Sequence, residues 1–242
     1  MIVIPMAGMS LRFFNAGYHL PKYMLLCGGK SIFEWSLSSF QRYFDDEEFL
    51  FIVRDQVASN FVASKLDGLQ IRCARIVVMD RPSLGQADTV DFGLRSIGYS
   101  GDIFVFNIDT VRRDFVKFQS LDKLDGYIEV FKGEGENWSF AETRGRDKKT
   151  VLRVAEKNRI SEWCSNGLYY FRSSDWFCDA VDRVRSDDVS KLYGGEIYIA
   201  PLYNDLIAES GRVEIFPVDL SFLSFIGTPQ EYILFCRLVQ GS

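Results

Sequence analysis

The apolar run Ile2-Val3-Ile4-Pro5-Met6 passes directly into Ala7-Gly8-Met9-Ser10-Leu11-Arg12-Phe13, and Pro21-Lys22 follows at the end of the next loop. A short apolar run closed by a glycine turn reads as a buried strand of a parallel sheet. A strand, a glycine turn and two separated cations are what a triphosphate site needs, because backbone N–H groups and fixed positive charges must reach several phosphate oxygens at once. Taken singly, a glycine after a strand is only a turn and a lone Lys or Arg a solvated charge. It is their combination that points to a phosphate site.

Outward from this stretch, the runs Ile2–Met6, Phe49–Val53, 71–78 and Ile103–Phe106 alternate with amphipathic segments 32–44, 57–66 and 87–97. That rhythm predicts an α/β fold of βαβ units, with a mostly parallel mixed sheet flanked by helices. Ser31 followed by Glu34 is a capping box for the first helix. After Asp109 the pattern changes to strands near 126–131, 139–142, 151–154 and 167–171, separated by polar segments 132–137 and 144–149. A small antiparallel flap is expected there. A helix over 197–209 closed by Gly211, a strand over 213–218 and a last helix over 229–239 complete a single domain of 242 residues.

A chain that is 47% hydrophobic and 15% aromatic can bury a substantial core. A net charge of −5, with no long basic run, argues against nucleic-acid and membrane surfaces and leaves a small-molecule partner. The five cysteines lack metal-type pairing and read as reduced core thiols. The first residues lack a basic region and reach Arg12 too soon for a signal peptide or membrane span, so a cytoplasmic protein is expected.

Two motifs fail. Gly28-Gly29-Lys30-Ser31 ends like a Walker A loop, but the earlier glycine would fall at Met24, and Gly8-x-Ser10 lacks the further glycines of a dinucleotide fingerprint. A different pattern fits. The chain resembles the sugar-phosphate nucleotidylyltransferase family, whose signature A-G-x-G-x-R is followed, nine and ten positions after the Arg, by Pro-Lys; Arg12, Pro21 and Lys22 keep that spacing. The likeness extends through Gly29-Lys30, Leu84-Gly85-Gln86-Ala87, Asn107-Ile108-Asp109, Glu156-Lys157, Asn166-Gly167, Gly195-Glu196-x-Tyr198 and Gly227-Thr228-Pro229-Gln230-Glu231. It implies a Rossmann-like, glycosyltransferase-A-like fold of the nucleotide-diphospho-sugar transferase type. Residues 1–110 would form the nucleotide-binding half and 111–242 the acceptor-binding half with the flap.

The resemblance implies an enzyme in which a phosphate oxygen of the acceptor attacks the α-phosphorus of an NTP and pyrophosphate departs. Arg12 would hold the leaving phosphates and Lys22 the α-phosphate or the acceptor phosphate. Asp109, at the carboxyl edge of the sheet, would bind Mg²⁺. Ala7, Gly8, Arg81 and Gln86 would contact the nucleotide; Glu156, Asn166, Gly167 and Glu196 would contact the acceptor. A phosphomonoester is already mostly ionised at neutral pH, so no catalytic base is needed, and His19 reads as a loop histidine.

Two departures from the family pattern stand out. Ser10 replaces the second signature glycine, which the loop tolerates if that residue keeps a negative φ. Phe225 occupies the position of the second metal-binding aspartate, leaving Glu196, Asp219 or the phosphates themselves to complete the shell. The acceptor reads as a sugar-1-phosphate for capsule or envelope polymers, with CTP, UTP or dTTP as donor. A CTP-dependent cytidylyltransferase for a phosphorylated non-sugar metabolite and a catalytically weakened nucleotide-binding subunit are the alternatives. Homo-oligomerisation is expected from the flap and the surface aromatics.

Overall fold

The structure is a computed structural model that describes residues 1–144, 149–186, 192 and 194–241. The first half contains β1 (Ile2–Met6), α1 (Leu11–Asn15), β2 (Leu26–Cys27), β3 (Lys30–Ser31), α2 (Ile32–Leu37), β4 (Phe49–Val53), α3 (Gln56–Leu69), β5 (Ala74–Val78), α4 (Gln86–Ile97), β6 (Ile103–Phe106) and β7 (Thr110–Arg112). The second contains β8 (Gly126–Lys132), β9 (Ser139–Thr143), β10 (Val151–Glu156), β11 (Trp163–Phe171), α5 (Ser174–Ser186), α6 (Leu202–Ala208), β12 (Val213–Pro217), β13 (Leu223–Phe225) and α7 (Pro229–Gln240).

A nine-stranded sheet runs β10-β9-β11-β6-β1-β4-β5, with β8 on β11 and β12 on β8. Strands β6, β1, β4 and β5 are parallel, and β11 joins them antiparallel through β6. Both faces are buried, as an alternation of side chains demands. Val3, Leu50, Ile52 and Val105 pack under α4, α5 and α6, whereas Ile2, Ile4, Phe49, Phe51 and Phe106 pack under α2 and α3. Each fully buried side chain of this kind contributes roughly 1.5–3 kcal/mol.

Most expected elements stand where the pattern placed them, including the Ser31/Glu34 capping box. The expected flap strands are continuous with the main sheet, and only β9 and β10 project from it as an antiparallel pair. Residues 145–148 of the expected polar segment lie outside the described residues.

The 197–209 helix is shorter than expected, covering Leu202–Ala208. Pro201 disfavours helical geometry in the residue before it, and Ile197 uses its backbone on Leu84 and Ala87 instead. The Walker-like Gly28-Gly29 proves to be the two-residue turn of the β2–β3 hairpin, with φ of 57° and 81°. Of the five free thiols, Cys27, Cys164 and Cys178 are buried, but Cys73 is exposed and is no core thiol. Among the described residues, no helix is long and apolar enough to cross a membrane.

Candidate active site

The parallel strands β1 and β6 end side by side, and the loops beyond their carboxyl ends line a cavity of about 690 Å³, the position where ligands collect in open α/β sheets. Arg12, Lys22, Gln86, Asp109, Glu156, Asn166, Gly167 and Glu196 all line it. Ala7, Gly8 and Arg81 line an adjoining cavity of about 650 Å³, and Met9, Gln86 and Glu196 belong to both walls. Residues far apart in the chain thus meet in one cleft.

At its centre Lys22 Nζ lies 2.5 Å from Asp109 Oδ2, both side chains about one-fifth exposed. Arg12, on the exposed side of α1, faces the same cavity. Ser10, just before Arg12, adopts φ 53°, ψ 30°, the left-handed conformation that the missing glycine would take without strain, so the expected negative φ does not occur. Its hydroxyl accepts the Lys22 backbone N–H at 3.2 Å and so ties the glycine turn to the lysine. Ser10→Ala keeps the strained backbone and removes that bond. It is expected to lower stability in urea unfolding by about 1 kcal/mol; an unchanged midpoint would show the hydroxyl to be idle.

Around Asp109 the backbone is closely packed. Ile226 donates its N–H to the Asp109 carbonyl at 2.8 Å. A side chain added at Gly227 would come within 3.0 Å of Asp109 Oδ2, so glycine leaves the carboxylate open to the cavity. Glu231 also lines the cavity and reaches toward Gly227, while its carboxylate accepts the Thr228 N–H at 2.8 Å in a second capping box. The T-x-x-E spacing of Thr228 and Glu231 was readable as a helix start, but nothing local pointed to a site.

The substitutes considered for the missing aspartate fare differently. Asp219 is solvent-exposed, caps Ser221 N–H at 2.8 Å and takes no part in the cavity. Glu196 lines both cavities. No group of three or more His, Cys, Asp or Glu able to hold a metal occurs among the described residues. A hard divalent cation that takes one or two carboxylates and completes its shell from phosphates and water fits this donor set.

The Asn166–Gly167 wall of the cavity is shaped by an irregularity in β11. Against β8, Ser165 pairs with Val130 and Tyr169 with Ile128, so three residues, Asn166 to Leu168, oppose the single Glu129. Such bulges re-aim side chains. Asn166 donates to Glu129, which is buried and held by Arg112 Nε at 3.0 and 3.1 Å. Gly167 has φ 90°, and a Cβ there would meet Asn107 at 2.4 Å. Asn107, quoted in the sequence only beside Asp109 and given no role of its own, accepts from Gln86 and joins the Gln86 turn to the bulge.

Glu156 is buried and accepts from Ser139; burial pushes its carboxyl above the usual range, helped by the nearby Glu196.

Arg81 does not present a free guanidinium to the second cavity, because both of its terminal nitrogens bond Asp88, at 2.8 and 3.0 Å. Asp88 is fully buried and also accepts from Arg185 and from Leu84 N–H. Burial alone would raise its pKa, but these donors outweigh it and hold the carboxyl at about 2, below the ordinary 3.8. A depressed folded-state value means that its stabilising contribution is complete above 3.8 and is lost as pH falls through about 2. Asp88→Asn is therefore expected to flatten this part of the acid-side fall in thermal stability; an identical pH profile would remove Asp88 from that role.

No protein-family profile matches the chain, and no curated protein matches it. Solved structures do. Two remote ones share its fold: the inositol-1-phosphate CTP transferase from T. maritima, at 13% identity over 99% of this chain and 94% of that one, with a TM-score of 0.73, and UDP-glucose pyrophosphorylase complexed with UDP-glucose, at 14% over 99% and 98%, with a TM-score of 0.77. A much nearer relative is the nucleoside-diphosphate-sugar pyrophosphorylase from Vibrio cholerae RC9, 44% identical over 98% of this chain and 100% of that chain, with a TM-score of 0.93. With that identity spread over its whole length, the chain belongs to the nucleoside-diphosphate-sugar pyrophosphorylases, members of the sugar-phosphate nucleotidylyltransferase family.

Proposed function

We propose that this chain transfers a nucleoside monophosphate from an NTP to a phosphorylated small-molecule acceptor and releases pyrophosphate. The observation that carries the reading is the meeting of Lys22 with Asp109 in a cleft that Arg12 also lines. Sugar-1-phosphates are the acceptor class that the relatives' names suggest. The second cavity takes the base, with the backbone of Ala7 and Gly8 and the amide of Gln86 as hydrogen-bonding partners. Residues 1–110 accordingly form the nucleotide-binding half and 111–242 the acceptor-binding half.

Chemistry of this kind is mainly positioning and charge neutralisation. Arg12 binds the departing β- and γ-phosphates. Lys22 balances charge on the α-phosphate as the acceptor phosphate attacks in line. Asp109, with Glu231 nearby, would hold Mg²⁺, which when bound would supply further neutralisation of the triphosphate. The Ser10–Lys22 bond keeps the two cations in one geometry before substrate arrives.

The acidic net charge and the unpaired thiols support a cytoplasmic setting, and the family supports a role in supplying activated precursors for capsule or envelope polysaccharide. Self-association remains part of the proposal. Pyrophosphate release is measured with CTP, UTP and dTTP against a panel of phosphorylated acceptors at millimolar Mg²⁺. Turnover with at least one pair is the expected result; nucleotide binding without turnover on any pair would leave a nucleotide-binding subunit in place of an enzyme.

A further inference from the structure

The outermost strands of a sheet present backbone groups that a folded protein has to cover or pair. The nine-stranded sheet ends on β10, β12 and β5. At β10 the Asn204 side chain donates to the Val154 carbonyl at 2.9 Å and accepts the Val154 N–H at 2.8 Å. At β12 the Ile215 N–H bonds the Lys149 carbonyl at 2.8 Å, and Glu214 bridges to Thr150. Strand β5 is different: among the described residues its one strand partner is β4.

The Phe49 N–H bonds the Cys73 carbonyl and the Met79 N–H bonds the Val53 carbonyl, each at 2.9 Å. Odd-numbered residues of this stretch therefore turn their backbone toward β4, and Ala74, Ile76 and Val78 turn theirs to the open side. Among the described residues, no protein group meets those outward N–H and C=O groups. The stretch is also self-complementary. Laid antiparallel to a second copy about Ile76, it sets Ala74 opposite Val78 and Ile76 opposite itself, so each outward residue faces another, and such pairs exchange both N–H···O bonds. Two positions beyond each end of the strand, the same register sets Arg72 opposite Asp80, both exposed and of opposite charge. Arg72 pairs with Asp45 at 2.7 Å while 76% of its side chain is exposed, an ion pair that contributes little and is easily exchanged. Arg75, the charged residue within the strand, is balanced by Glu48 at 2.5 Å.

We propose that two copies of this chain join through β5, antiparallel about Ile76, into one continuous sheet. The inference rests on the self-association proposed above, to which it gives a surface, and is independent of the transferase reading. An extended peptide could also use the open backbone, but the match of Arg72 with Asp80 at both ends belongs to two identical copies related by a two-fold axis. Asp80 lines the second cavity, so Arg72 of the partner subunit would reach the rim of that cavity.

Sedimentation of the wild-type chain over a micromolar concentration series is expected to show a dimer. Ile76→Pro removes an N–H that faces away from β4, a change that an edge strand tolerates, and is expected to raise the dimer dissociation constant about tenfold or more. Arg72→Asp sets like charges opposite one another and is expected to weaken the dimer by about as much. Adding Asp80→Arg to it restores opposite charges and is expected to restore the dimer. Thermal melting shows which variants fold; should Ile76→Pro fail to, the charge series at the two exposed positions decides. A dissociation constant unchanged in either folded single variant means that the dimer is held through another face, such as Ile233, Leu234 and Leu238 of α7, and overturns the proposal. A double variant no tighter than Arg72→Asp overturns the register about Ile76 and the proposal with it. A wild-type chain that stays monomeric overturns this surface and the self-association together. None of these outcomes depends on turnover, so failure of the transferase reading is seen separately, in pyrophosphate release.

Discussion

Lys22→Ala is expected to lose turnover by about a hundredfold or more, with nucleotide affinity much less affected. The ammonium lies 2.5 Å from the Asp109 carboxylate and is largely shielded from water. Without it, negative charge building on the α-phosphate meets an unbalanced carboxylate. Asp109→Asn keeps the shape and removes the charge, and is expected to cost turnover on the order of a hundredfold as well. Single-turnover kinetics beside equilibrium nucleotide binding separates the two quantities. A rate within about threefold of wild type in either variant would strip that residue of its role.

Gly85→Ala is expected to lose both stability and acceptor affinity. Gly85 has φ 125°, and a Cβ would lie 2.6 Å from the Ile197 backbone nitrogen and 2.7 Å from its carbonyl oxygen. Backbone cannot turn aside as a side chain can. Overpacking of this order costs roughly 1–3 kcal/mol, and the positive φ adds to it. The contact it would break is specific: Ile197 bonds Leu84 at 2.7 Å and Ala87 at 3.0 Å, which fixes Glu196 and Tyr198 over the Gln86 turn. Urea unfolding and the acceptor KM are the readouts. A variant with wild-type stability and KM would mean that the two segments are not held together by this approach.

The parts of the fold legible in the sequence are those governed by local periodicity. Ile2–Met6, Phe49–Val53 and Ile103–Phe106 are short apolar runs because both faces of their sheet are covered, and they were readable to the residue. Helix α5 passed unread although Phe177, Val181 and Val184 are spaced for one face. Its polar residues, among them Asp175, Asp179 and Arg183, dilute that pattern. Strands β7 and β13 are three residues each and are stabilised by one another, a pairing across more than a hundred positions that no window reveals.

The site shows the same division. The spacing of Arg12, Pro21 and Lys22 carried the phosphate end by resemblance. The left-handed Ser10, the Asn107 link and the engagement of Arg81 by Asp88 depend on contacts between distant segments. The packing of Phe225 on Phe131 and Trp138 was visible only as a departure from the family pattern.

The changing partnership of β11 has a mechanical consequence. β8 runs along one edge of β11 at both ends, while on the other edge its last residues bond β6, whose exit loop carries Asp109, and Cys164 near its start bonds β9, the partner of the β10 strand that ends in Glu156. A single stretch of backbone thus ties the Asp109 and Glu156 walls of the cavity to one sheet. A chain severed near residue 110 would yield fragments that each lack a strand partner the other supplies.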